Sequence, residues 1–232
     1  MTRRFLEVRD LTKEYPTPDG TAVMGLHGFS FDADRGEMVG IEGPSGSGKT
    51  TFLHLLAALL RPTRGEILFD GINDDLLFQN EGADKWRAQS VGMVFQNMNL
   101  LPDFSVWENV LIAAKIAGMT RQTAQERAKE LLTRLGLADR MNRRPANLSL
   151  GEQQRGAVAR AVVHRPSLVL ADEPTASLDA ENAAVVLDLL TELCAESRSL
   201  LLVATHDEAV KRRFRALGRM VAIRRSNTEA LP

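Results

Sequence analysis

The stretch that most narrows what this chain can fold into is Gly43-Pro44-Ser45-Gly46-Ser47-Gly48-Lys49-Thr50. It fits G-x-x-x-x-G-K-[ST], the pattern of a phosphate-cradling loop. The apolar run Met38-Val39-Gly40-Ile41 before it reads as a buried strand, and Thr51–Leu60 after it reads as a helix ended by Pro62. Strand, glycine-rich turn and helix is the setting such a loop needs. The glycines let successive N–H groups curl inward toward phosphate oxygens, and the helix start adds the positive end of its dipole. Lys49 can reach the β- and γ-phosphates, and the Thr50 hydroxyl can ligate Mg²⁺. A plain turn between two core elements would need neither the Lys-Thr pair nor these flanks.

The 232 residues suit one globular domain, or a domain with a subdomain, and 44% hydrophobic with 25% charged residues is ordinary for such a chain. A net charge of −1 supplies no basic field, so nucleic acid is not an expected partner. The single cysteine, Cys194, excludes an intrachain disulfide, fits a reducing compartment and is expected to be a small buried helix residue. No apolar run reaches the ~18 residues of a membrane-spanning helix. Met1–Glu7 lacks the apolar core of a secretory leader. Work at a membrane would then require another chain to hold this one there.

Several further segments can be placed. Phe5–Leu11 reads as a strand, Tyr15–Gly20 as a turn-rich loop, and Phe29 and Phe31 lie on one face of a second strand, giving an antiparallel N-terminal region. Gly65–Gly71 is a short strand with its turn. Residues 73–90 are polar, irregular or helical, and Val91–Phe95 is a buried strand ending at Gln96. A helical stretch is expected from about 104 to 142. Within it Ala128, Leu131, Leu132 and Leu135 repeat at helical spacing, opposite a solvated face of Arg127, Lys129, Glu130 and Arg134. Helices over Ser149–His164, Glu181–Ala195 and Glu208–Leu217 alternate with strands over Leu168–Asp172 and Leu200–Ala204, which implies right-handed parallel crossovers. Ser226–Pro232 is expected to be a frayed tail.

Two of these segments carry chemistry. Leu168–Asp172 is an apolar strand ending in Asp172-Glu173-Pro174. Acids at the C-terminal edge of a parallel strand lie where ligands bind. Asp172 is placed to hold Mg²⁺ through water, and Glu173 to orient or deprotonate an attacking water. In Leu148–Arg155, Ser149 and Glu152 have the spacing of a capping box. One reading is a helix cap alone, stabilising by about 1 kcal/mol. The other is a second phosphate-binding surface that Gly151 lets a ligand approach closely. Spacing does not separate the two.

Nearly the whole chain resembles the ATP-binding cassette (ABC) ATPases, with their motifs in family order. Leu148–Arg155 resembles their signature, usually Leu-Ser-Gly-Gly-Gln, with Leu at 150 and Glu at 152 as departures. An outward-pointing Leu150 at the first helical position would be tolerated; at positive φ it would be strained. Gly43, Pro44, Ser45, Gly46, Ser47, Gly48, Lys49 and Thr50, with Thr51 beside them, match the Walker A loop. Tyr15 resembles the aromatic that stacks on adenine. Gln96 matches the glutamine that senses the metal and attacking water and faces the membrane partner. Asp172 and Glu173 match the Walker B aspartate and the catalytic glutamate, Ser177-Leu178-Asp179 the D-loop, and His206 the switch histidine.

The resemblance implies an α/β P-loop NTPase fold: a RecA-like parallel-sheet core, an N-terminal antiparallel β subdomain and a helical subdomain over about 97–165. It implies Mg²⁺ held by Thr50, Gln96 and Asp172, and catalysis by Lys49, Gln96, Glu173 and His206. It further implies a head-to-tail homodimer sandwiching ATP between the Walker A loop of one copy and Ser149, Gly151, Glu152 and Asp179 of the other. The run Val94–Pro102 and Glu108-Asn109-Val110 resemble the lipoprotein-release and macrolide-efflux cassettes, the LolD and MacB types. These are peripheral at the cytoplasmic face of the inner membrane, held by permeases with extracytoplasmic domains. A regulator of cell division resembling the FtsE type is the alternative expectation.

Overall fold

The computed structural model describes residues 4–73 and 82–224, so the expected tail and part of the polar 73–90 segment lie outside the described residues. The strands are β1 Leu6–Pro16, β2 Ala22–Ala33, β3 Met38–Glu42, β4 Arg64–Phe69, β5 Ile72–Asn73, β6 Val91–Val94, β7 Leu168–Asp172, β8 Leu200–Thr205 and β9 Arg219–Ala222. The helices are α1 Lys49–Leu56, α2 Gly82–Ser90, α3 Val106–Ile116, α4 Arg121–Arg134, α5 Leu150–Val162, α6 Ala180–Ser197 and α7 Glu208–Leu217. An antiparallel sheet runs β2-β1-β4-β5, and a parallel sheet runs β6-β7-β8-β3-β9. None of the described helices is long and apolar enough to cross a membrane.

The central strands β7 and β8 of the parallel sheet are buried on both faces, and their side chains sort with the strand period of two. Leu168 and Leu170 of β7, with Leu200, Leu202 and Ala204 of β8, join a core that includes Phe52 of α1, Leu6 and Phe31 of the antiparallel sheet, and Phe5 just ahead of it. Val169, Ala171, Leu201 and Val203 join the opposite core with Val110, Leu131, Val158 and Leu190 from the helices. Because β3, β7 and β8 run parallel in register, the turns after Glu42, Asp172 and Thr205 leave from one edge of the sheet. That edge is where an open α/β sheet binds ligands.

Several local expectations change. β1 continues to Pro16, so the turn begins only at Thr17, whose hydroxyl and amide bond Thr21. α1 stops at Leu56, well short of Pro62, with Ala58 at φ 52. Trp86 Nε1 donates to Leu56 O at 3.3 Å and Arg87 Nη1 to Ala58 O at 2.6 Å, so α2 satisfies one carbonyl at the end of α1 and one just beyond it. The long helical stretch divides at Gly118 (φ 83), and Thr120 caps α4. Arg127 is not solvated: its side chain is 11% exposed and bonds Glu130. Arg134 bridges to Glu192 and Glu196 of α6. β9, unexpected from sequence, adds to the edge of the sheet beside β3. Cys194 is buried in α6, and burial pushes its thiol up to about 12.

His164 follows α5, and burial lowers its pKa from 6.5, with the Val91 backbone opposing the shift. The folded state therefore favours the neutral ring, and the unfolded chain takes the proton first as pH falls. This contribution to stability is complete above the unfolded value and is lost as pH falls through the folded one. Melting temperature is expected to begin falling as pH drops below about 6.5, above the usual carboxylate range. His164→Gln should flatten that part of the profile. An unchanged slope in the variant would rule His164 out as its source.

Candidate nucleotide site

The loop after β3 turns through Gly46 (φ 74) and Gly48 (φ 101) into α1. A Cβ at Gly48 would lie 2.3 Å from the Gly25 carbonyl of β2, so glycine is required where the antiparallel sheet closes over the loop. α3 to α7 each begin with a side-chain cap, from Ser105, Thr120, Ser149, Asp179 and Asp207. α1 begins with Gly48 and has no side-chain cap. Its first N–H groups are left for another acceptor.

These groups border a cavity of about 590 Å³ lined by Tyr15, Val23, Gly25, Ser45, Gly46, Gly48, Lys49, Thr50, Thr51, Gln96, Asp172, Glu173 and His206. Lys49 is buried, and its Nζ donates to the carbonyls of Gly43 at 2.8 Å and Pro44 at 3.2 Å, which holds the ammonium against the loop. Thr50 Oγ1 donates to Asp172 Oδ2 at 2.7 Å, joining the loop to the end of β7. Tyr15 shares a hydrogen bond with Thr51 Oγ1 at 3.2 Å. Ser47 Oγ is buried without a hydrogen-bond partner. Gly43, Pro44 and Ser47 lie behind the cavity rather than on its lining, and the uncapped N–H groups and buried ammonium that do border it fit a polyphosphate. The Thr50 hydroxyl, Asp172 carboxylate and Gln96 amide are hard oxygen donors of the kind Mg²⁺ takes alongside water and phosphate.

Glu173 has a left-handed backbone (φ 46), a conformation costly for a side chain of its kind and found at functional sites. Its carboxylate is buried among groups at the end of β8. Thr205 Oγ1 donates to Oε2 at 3.2 Å, the His206 amide donates to Oε1 at 3.1 Å, and His206 Nδ1 lies 2.6 Å from Oε1. Thr205, Val23 and Gly25 are site residues that sequence reasoning missed. Thr205 could have been found as the residue ahead of His206; the other two are brought in by sheet packing alone.

Ser149, Gly151, Glu152 and Asp179 do not line this cavity. They form a second group where two helices start side by side. Ser149 Oγ accepts from the Glu152 amide at 3.2 Å, and Glu152 Oε2 accepts from the Ser149 amide at 2.8 Å, completing the capping box. That amide, foremost, holds the Glu152 carboxyl below the usual range, helped by Ser149 Oγ and Arg140. Asp179 caps α6 through Asn182, whose amide lowers the Asp179 pKa. Asn182 Oδ1 also accepts from Arg155 at 3.3 Å and would sit 2.6 Å from a Cβ on Gly151. Gly151 thus has a packing reason of its own. Leu150 is helical, without positive φ, and 53% exposed, so the strained alternative does not arise.

The ABC transporter family model matches residues 26–176. The chain is 44% identical over 215 residues to the lipoprotein-releasing system ATP-binding protein LolD of Syntrophus aciditrophicus, covering 92% of this chain and 96% of that one. It is 40% identical over 229 residues to LolD 2 of Caulobacter vibrioides, covering 99% and 98%. Among solved structures it resembles the ATP-binding cassette MJ0796, a dimer in a post-hydrolysis state bound to ADP and phosphate, with TM-score 0.83, 33% identity and 94% coverage of both chains. With its α/β architecture and a cavity built from the Walker motifs, the chain belongs to the ABC transporter ATPases, on the LolD branch.

Proposed function

We propose that the chain is the ATP-hydrolysing subunit of a membrane complex that releases lipid-anchored proteins, peripheral at the cytoplasmic face and driving a permease with extracytoplasmic domains. The observation that carries the two-copy mechanism is the division of the phosphate-binding residues. One group surrounds the cavity, while Ser149, Gly151, Glu152 and Asp179 stand together outside it. A second copy, placed head to tail, supplies the missing group to the first. The dimeric state of the MJ0796 cassette supports that arrangement. The chain is read as one cassette over 1–232 with a helical subdomain at about 97–165.

In this reading Tyr15 stacks on the adenine. The residues Gly43–Thr51 bind the phosphates, with Lys49 at the β- and γ-oxygens. Thr50, Asp172 and Gln96 would hold Mg²⁺, which when bound supplies positive charge against those oxygens. Glu173 accepts the proton of the attacking water, and His206 orients the Glu173 carboxylate and the γ-phosphate. Positioning and electrostatics supply nearly all of the catalysis in such phosphoryl transfer.

A tagged chain extracted from host membranes is expected to bring with it an integral membrane protein bearing a large extracytoplasmic domain. In proteoliposomes the two together should release a lipid-anchored protein only with ATP and Mg²⁺. Recovery of cell-wall hydrolase activators, with no cargo released, would move the assignment to a division regulator.

A further inference from the structure

Arg160 of α5 takes no part in the site described above. Its guanidinium is partly buried, which lowers its pKa, and among the described residues no carboxylate counters that shift. Instead Nη1 donates to Asn99 O, and Nη2 donates to Met98 O at 2.7 Å. Met98 (φ 55) and Asn99 (φ 49) are successive left-handed residues just beyond Gln96, and one planar fork holds both carbonyls. The same segment is held further along by buried Asn109 of α3. Its Nδ2 donates to Leu101 O at 3.1 Å and Phe104 O at 3.2 Å, and its Oδ1 accepts from the Leu101 amide at 2.8 Å. α5 also packs closely here: a Cβ on Gly156 would lie 3.2 Å from Val106 and 3.8 Å from Leu100.

Taking even part of a guanidinium out of water is costly, and packing alone would be better served by an apolar side chain. What Arg160 adds is a fixed connection. We propose that Arg160 is a positioning residue for ATP hydrolysis, whose fork ties the segment after Gln96 to α5, so that the Gln96 amide and the Ser149–Glu152 turn move as one body. The turn and Arg160 are separated by roughly 16 Å along a helix rising 1.5 Å per residue. The position of Gln96 in one copy's cavity is thereby linked to the surface that copy offers the other copy's nucleotide. The proposal rests on the reading of Gln96 as a metal- and water-sensing residue.

Arg160 touches neither nucleotide nor metal, so its loss should act on kcat through Gln96 and leave nucleotide KM nearly unchanged. The test is a double-mutant cycle on the purified full-length chain, using steady-state hydrolysis of Mg-ATP with melting temperature as a control on folding. Arg160→Met is expected to lower kcat about tenfold with KM within about twofold, and to cause no further loss in a Gln96→Ala background. Arg160→Lys, with one point-like donor group, should fall between parent and Arg160→Met, and it carries the same cycle if Arg160→Met does not fold. An unchanged kcat in either folded Arg160 variant, or multiplicative losses in the double variant, would overturn the proposal while leaving the Gln96 reading intact. Normal turnover in Gln96→Ala alone would remove that reading and this proposal with it.

Discussion

Glu173→Gln is expected to slow ATP hydrolysis by about 10²–10⁴-fold, the usual contribution of a positioned general base, while ATP still binds. The variant should also accumulate as an ATP-bound dimer. The change is nearly isosteric. Glutamine keeps an Oε1 that can accept from the His206 amide and a side chain of the same length at the left-handed position (φ 46). The fold should therefore hold, and what is lost is the ability to take a proton from water. Light scattering after gel filtration with ATP and Mg²⁺ checks the dimer, and phosphate release checks the chemistry. A monomer under all conditions, with the membrane partner present, would remove the sandwich. Parent-like turnover would remove Glu173 as the base.

Lys49→Ala should reduce turnover by at least about 10²–10³-fold, the size of effect seen when one preorganised donor to developing charge is removed. Lys49 is buried at the first position of α1, with its ammonium held at the loop by the Gly43 and Pro44 carbonyls. In the proposed site it is the one side-chain cation lining the cavity on the loop itself. Alanine is a good helix former, so α1 should persist. A melting temperature close to the parent's would assign the loss to the site rather than to the fold. Normal turnover in a folded variant would overturn the assignment of the loop as the catalytic nucleotide site.

Glu173→Gln and Lys49→Ala probe residues that were legible because their chemistry is local. A loop that wraps phosphate needs glycines at fixed spacing. A parallel strand buried on both faces must be an unbroken apolar run, and acids at its end stand out against it. The capping box at Ser149 and Glu152 was legible for the same reason, since a helix start satisfies its own amides within one turn. Other features were not local. The early end of α1 depends on Trp86 and Arg87 reaching back from α2, a partner that apolar periodicity does not reveal. Arg127 and Arg134 read as a solvated stripe because the α6 partners of Arg134 lie some sixty residues away and the burial of Arg127, which bonds Glu130 on its own helix, follows from packing. The break at Gly118 and Thr120, by contrast, was available to a closer reading of caps and glycines.

The sequence alone determined the alternation of strands and helices from β3 to α7, the phosphate loop and the acids at the end of β7, because each rests on spacing within one short segment; β9 escaped it, and His206 was singled out only by family resemblance. Only the tertiary structure decided which of these residues meet. It brought Thr50 to Asp172 and Glu173 to Thr205 and His206, since adjacent parallel strands release their turns at one edge. It set Gly25 over Gly48, and it joined Arg160 to the segment after Gln96. It also set Ser149, Gly151, Glu152 and Asp179 apart from the cavity, as a group where two helices begin side by side. Contacts between distant segments depend on how sheets and helices pack, and a linear spacing carries no such coordinate.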